Sequence, residues 1–170
     1  MNIYLIGFMG SGKSTIGQLL AKELDFNFID MDSYIEDKYK AKIKDIFKEK
    51  GETYFRQLEK KELQNIINVD NYVISTGGGL GADIENLKLM KSSGITIWLD
   101  ASLKEILKRC EKDTQRPLLQ QPLEKIEKLY KKRKEIYSLA DIHIKVDGKK
   151  PEEIVEEIIG NIHRYRYSRK

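Results

Sequence analysis

The stretch Gly7-Phe8-Met9-Gly10-Ser11-Gly12-Lys13-Ser14 sets glycines, a lysine and a hydroxyl at the spacing G-x-x-x-x-G-K-[ST], followed by Thr15. Glycines let such a loop turn tightly and aim backbone N–H groups at phosphate oxygens, and a helix starting at its end adds the positive pole of its dipole. Lys13 then reaches the β- and γ-phosphates of ATP, and the Ser14 hydroxyl ligates Mg²⁺. Gly10, Ser11, Gly12 and Thr15 complete the ATP-binding cradle. The chemistry this prepares is phosphoryl transfer.

Three further groupings point to a recipient. Asp30 and Asp32 end the run Phe28-Ile29-Asp30-Met31-Asp32. At positions i and i+2 of a strand they are expected to share one side of the pleat, at the sheet end where ligands sit in open α/β folds. One carboxylate can hold a metal's waters and the other can align or deprotonate a hydroxyl; helix capping by Asp32 or Ser33 is the structural alternative. Gly77, Gly78 and Gly79 close the run Val73 to Ser75 and Thr76. Three successive glycines are entropically costly and suit a place where a ligand approaches the main chain. Arginine is scarce, seven residues against 24 lysines, so each arginine suggests a need for a planar two-point grip on carboxylate or phosphate. Arg133 follows Leu123, Ile126 and Tyr130 at helical spacing and precedes Tyr137, which aims it with an apolar face. Arg116, before Pro117, has the position of an arginine finger supplied in cis, with a simple surface charge as the alternative.

The elements that must carry these groups follow from hydropathy. Asn2–Ile6 reads as a buried parallel strand, and Ile16, Leu19, Leu20 and Leu24 predict a helix over 13–24. Apolar runs recur at 26–29, 72–75, 95–99 and 142–146 between segments of helical period. The expectation is an α/β fold of three layers, helix on both faces of a five-stranded parallel sheet. Residues 32–67 hold no strand signal and break at Gly51, which predicts a helical insertion over the acceptor; the polar, proline-bounded segment 111–122 predicts a lid. At 170 residues the chain is expected to form one domain.

Composition limits the partners. A net charge of +4, with 34% charged residues, is too small a bias to argue for nucleic acid without a localised patch. Cys110 is the single cysteine and is read as a small buried hydrophobe, which with the absence of a membrane-length apolar run predicts a cytoplasmic protein, and nothing in the sequence demands more than a monomer. The basic tail from Arg164 to Lys170 reads as a frayed helix end. Guanine-reading N-K-x-D and switch D-x-x-G strings are missing, so a regulatory GTPase is excluded.

Together these motifs resemble the shikimate kinase family, whose P-loop fold is of the nucleoside-monophosphate-kinase type. The resemblance runs through GFMGSGKST at 7–15, FIDMD at 28–32, ETYFR at 52–56, TGGG at 76–79, RPLL at 116–119 and R-x-x-x-Y-x-x-x-A-D from Arg133 to Asp141. It implies ATP-dependent phosphorylation of the 3-hydroxyl of shikimate, in the route to aromatic amino acids. It further implies that Asp32, Arg56, Gly77, Gly78, Gly79 and Arg133 bind shikimate, the two arginines through its carboxylate and Asp32 through ring hydroxyls, with Asp32 the candidate base. Phe47 and Phe55 then wall the pocket, Ser14 and Asp30 serve Mg²⁺, Arg116 closes on the phosphates and Arg109 lies over adenine. Residues 147–151 are shorter than the adenine-lining segment of that family, and no adenine contact is assigned there. A related sugar-acid kinase such as gluconate kinase, and a catalytically silent ATP-binding module, are the competing readings; the second predicts an eroded lysine or acceptor carboxylate, whereas Lys13 and Asp32 are both present.

Overall fold

A computed structural model describes residues 1–110 and 121–168. Five parallel strands, β1 (Asn2–Ile6), β2 (Asn27–Asp30), β3 (Tyr72–Ser75), β4 (Gly94–Asp100) and β5 (Ile142–Lys145), lie in the order β2-β3-β1-β4-β5. The strand read directly before the glycine loop is therefore the centre of the sheet. It pairs with β3 through Ile3↔Val73 to Leu5↔Ser75 and with β4 through Asn2↔Gly94 to Ile6↔Trp98. Its residues Ile3, Tyr4, Leu5 and Ile6 are wholly buried, as expected of a parallel strand covered on both faces.

Alternation along β1 defines the layers. Leu5 packs toward Gly17 of helix α1 (Lys13–Leu24). Ile6 faces Gly81, and the Tyr4 hydroxyl meets Ser93 Oγ at 2.7 Å at the end of α5 (Ile84–Ser93). Helix α8 (Pro151–Ser168) packs beside α1, while α5 packs on β4. This is the three-layer arrangement expected.

The strandless interval forms three helices, α2 (Met31–Tyr39), α3 (Ile43–Lys50) and α4 (Glu52–Ile66), with Gly51 between the last two. Helices α6 (Leu103–Cys110) and α7 (Leu123–Tyr137) flank the segment read as a lid. Arg116 and the RPLL run lie outside the described residues, as do the Cys110 side chain and residues 169–170.

One expectation is corrected. Helix α2 begins at Met31, so Asp30 ends the strand while Asp32 is already in the first helical turn. The two carboxylates thus do not share a pleat. The cap is Asp30 itself: its Oδ1 accepts from the N–H groups of Asp32 and Ser33 at 3.0 and 3.2 Å. An aspartate at N-cap satisfies donors that the first helical turn leaves unpaired, so the strand turns into helix without a loop.

Candidate active site

The glycine loop joins the carboxyl end of β1 to α1. Gly10 and Gly12 take positive φ, 78° and 91°, where a Cβ would be strained, and Gly12 is the N-cap of α1. Lys13 Nζ donates to the carbonyls of Gly7 at 2.6 Å and Phe8 at 3.0 Å, which folds its ammonium over the loop. Ser11 Oγ is buried without a partner among the described residues, an unsatisfied polar atom inside the cradle. Ser14 and Thr15 are exposed at the helix start.

Asp30 links this loop to the next strand, because its Oδ2 accepts from Ser14 Oγ at 2.5 Å while Oδ1 caps α2. A hydroxyl and a carboxylate thus stand together at the helix N-terminus, two hard oxygen donors of the kind that hold Mg²⁺ when phosphates and waters supply its other ligands. No group of three or more His, Cys, Asp or Glu among the described residues could form an all-protein metal cage, and a P-loop site does not need one. The residues fit the ion.

Asp32 projects toward the glycine triplet. A methyl on Gly77 would stand 2.8 Å from Asp32 Oδ1 and 3.1 Å from Glu59 Oε2. One on Gly78 would stand 2.9 Å from Arg133 Nη1, and one on Gly79 would collide with the Arg56 guanidinium. The triplet is therefore the floor on which two arginines and two carboxylates converge, and side chains there would fill the space.

Arg56, on α4, pairs with Glu59 at 2.6 Å and lies 3.5 Å from Glu52. Its guanidinium covers the rings of Phe47 and Phe55, at 5.7 and 5.5 Å from their centroids. Those rings are 4.8 Å apart. The two phenylalanines thus form one apolar wall, with the cation held over it. Arg133, on α7, is buried, and its guanidinium lies 5.5 Å from the centroid of the Phe8 ring. Burial lowers its pKa, and the nearby charge of Arg56 lowers it further. A surface arginine with its head in water would show neither effect. An open groove of about 310 Å³ runs from solvent to Arg133 between Glu52, Lys125, Lys128 and Lys132.

Arg109 sits at the other end of the glycine loop. Its Nε pairs with Glu105 at 3.0 Å and its Nη1 reaches the Gly10 carbonyl at 3.4 Å. Asp147, whose Oδ1 accepts from the Ser102 N–H at 3.0 Å, is held below the usual carboxylate range chiefly by its bonds to Ser102. The 147–151 turn is thereby tied to the start of α6.

Two site residues were not legible in advance. Glu59 is almost wholly buried, and burial pushes its carboxyl up to about 7 despite Arg56, with Asp32 adding to the rise. Its signal was present as an acid three residues after Arg56 on the face that carries Phe55, Leu58 and Leu63. Tyr137, read as a marker of an apolar face, donates from its hydroxyl to the Gly78 carbonyl at 2.5 Å. The remaining expected residues, apart from Arg116, gather around the carboxyl ends of β1, β2 and β3.

The family model described as "Shikimate kinase" matches residues 9–163. A curated shikimate kinase of Sulfurihydrogenibium sp. (strain YO3AOP1) is 55% identical over 163 residues, covering 96% of this chain and 98% of that protein. The crystal structure of shikimate kinase from Aquifex aeolicus VF5 superimposes with a TM-score of 0.88 at 44% identity, covering 98% and 99% of the two chains. Shikimate kinase from Acinetobacter baumannii in complex with shikimate superimposes with a TM-score of 0.91 at 34% identity, covering 96% and 93%.

Proposed function

The chain belongs to the shikimate kinase family, and on that premise we propose a residue-level account of how it transfers the γ-phosphoryl group of ATP to the 3-hydroxyl of shikimate, giving shikimate 3-phosphate and ADP. It is a shikimate kinase by family and by its relatives, and its fold is that of a P-loop kinase. The observation that carries the assignment of roles is the convergence of Arg56 and Arg133, from different helices, on the Gly78–Gly79 backbone. Two guanidiniums that repel one another across a partly buried space call for an anion, and a carboxylate matches their planar donors.

In this account Arg56 and Arg133 grip the acid, Phe47 and Phe55 wall its ring, and the N–H groups of the 77–79 triplet approach its oxygens. Asp32, beside Gly77, aligns the acceptor hydroxyl and takes its proton. Because phosphoryl transfer is commonly loose in its transition state, alignment contributes at least as much as proton removal. Gly10 to Thr15 cradle the ATP phosphates, and Lys13 turns from the Gly7 and Phe8 carbonyls onto the β- and γ-phosphates. Ser14 would hold Mg²⁺ directly and Asp30 through water, and the ion when bound would offset charge on the bridging phosphate oxygens. Arg109 lies along the nucleotide, and Arg116 is assigned to the phosphates from its RPLL context. The site draws on one chain, which fits a cytoplasmic monomer working on ATP and shikimate without nucleic acid. Among the described residues no helix is long and apolar enough to cross a membrane.

The test is ADP release in a coupled assay with shikimate, quinate, gluconate and nucleoside monophosphates as acceptors. Shikimate alone should stimulate strongly, and an enzyme indifferent to it would overturn the reading. Arg133→Lys should raise the shikimate KM about tenfold or more and leave the ATP KM unchanged, since an ammonium cannot reproduce a two-point grip.

A further inference from the structure

Helix α7 enters the site twice. Arg133 and Tyr137 are one turn apart on the same buried face. The Tyr137 hydroxyl donates its proton to the Gly78 carbonyl, and Arg133 Nη1 lies against the same glycine, 2.9 Å from where a Cβ would stand. The carbonyls of Gly77, Gly79 and Leu80 are taken within the turn by the N–H groups of Gly81, Ala82 and Asp83. The Gly78 carbonyl is taken by Tyr137 instead. A trans peptide sets its C=O and the following N–H on opposite sides. Holding the Gly78 oxygen toward α7 therefore directs the Gly79 N–H the other way, and a methyl at Gly79 would run into the Arg56 guanidinium.

We propose that Tyr137 is a positioning residue for acceptor binding, fixing the direction of the Gly79 N–H through its hydrogen bond to the Gly78 carbonyl. It touches no reacting atom and acts through the Gly78–Gly79 peptide. The inference rests on the assignment of that peptide to shikimate. Its ring lies 6.0 Å from the Trp98 ring and is buried, so Tyr137→Phe removes the hydroxyl while leaving the packing surface.

The experiment begins with the wild-type chain and shikimate, whose failure to react would sink the functional assignment itself and not this refinement. With an active wild type, Tyr137→Phe should raise the shikimate KM roughly tenfold, about the effect of a buried partner left unmet, with the ATP KM within about twofold of wild type. p-Aminophenylalanine at position 137, which restores an N–H donor, should bring the shikimate KM back to within about threefold. Trp98→Phe loosens the same packing and keeps the hydroxyl, so it should lower Tm without moving the shikimate KM. An unchanged shikimate KM in folded Tyr137→Phe overturns the proposal. So does a rise of equal size in Trp98→Phe, or a p-aminophenylalanine variant that stays impaired.

Discussion

Glu59 is an acid that burial makes hard to ionise in a site that needs cations. Arg56 offsets part of that cost and fixes its own guanidinium by doing so. The pH consequence is specific. Unfolded, the carboxyl titrates near its ordinary 4.5; folded, it titrates at about 7. Between those values the folded state holds the extra proton, so raising the pH withdraws stability, and above the higher value the loss is complete. Glu59→Gln cannot ionise. Its stability relative to wild type should therefore climb by on the order of 2–3 kcal/mol from pH 4.5 to 7 and then level off, as read by urea unfolding across that range. A flat difference would show that Glu59 ionises in the fold as easily as in water. Residue types and spacing made the P-loop and Arg133 legible, because each carries a demand that its type and position imply, whereas Arg56 was reached only through the resemblance of ETYFR to the family. Glu59 was hidden, since an acid three residues after an arginine looks like any surface helical pair until burial is known.

At the scale of elements, the insertion is held together by a second buried glutamate on the same helix. Glu62 accepts from Lys38 Nζ at 2.8 Å, from the Tyr39 hydroxyl at 2.7 Å and from Asn65. It thereby clamps the end of α2 to α4. Burial alone would resist its ionisation, yet these three donors together hold its carboxyl below the ordinary value. Its contribution has the opposite sign from that of Glu59: it is present above about 4.5, the unfolded value, and fades as the pH falls through the lower folded one. Glu62→Ala leaves Tyr39 and Lys38 without their shared acceptor and should cost on the order of 2 kcal/mol near neutral pH. It should also raise the shikimate KM, because α2 carries Asp32 and α4 carries Arg56. Normal KM with full stability would show that the clamp positions neither. The turn from β2 into α2 shows how an element boundary misleads: a strand rule placed Asp30 and Asp32 on one side, and capping by Asp30 ended the strand one residue after Ile29 and its helix began at once. The strand runs over Asn27–Asp30 where the apolar pattern predicts 26–29, and the immediate start of α2 at Met31 decides which way Asp32 points.

Across the whole molecule, the proposed acceptor site is shared among the glycine triplet after β3, the α2–α4 insertion and α7, so acceptor binding should stabilise the fold as a unit. Shikimate at about 100 times its Kd should add about 2.7 kcal/mol, or roughly 5–11 °C in Tm for a chain of this size. Arg133→Lys should shrink that rise at the same concentration, and an identical rise would exclude Arg133 from acceptor binding. The sequence by itself determined the phosphate cradle, the order of strands and helices along the chain and the family, because these depend on contiguous residues: G-x-x-x-x-G-K-S is a local backbone requirement, and apolar runs encode their own periodicity. The placing of β1 between β3 and β4 brought the triplet after β3 beside the glycine loop, and only the tertiary structure decided which charged groups meet there. Arg56 and Arg133 are 77 positions apart in the chain, and Tyr137 and Gly78 are 59 apart. Such distant partners are selected by burial and shared space, quantities that a linear pattern does not contain.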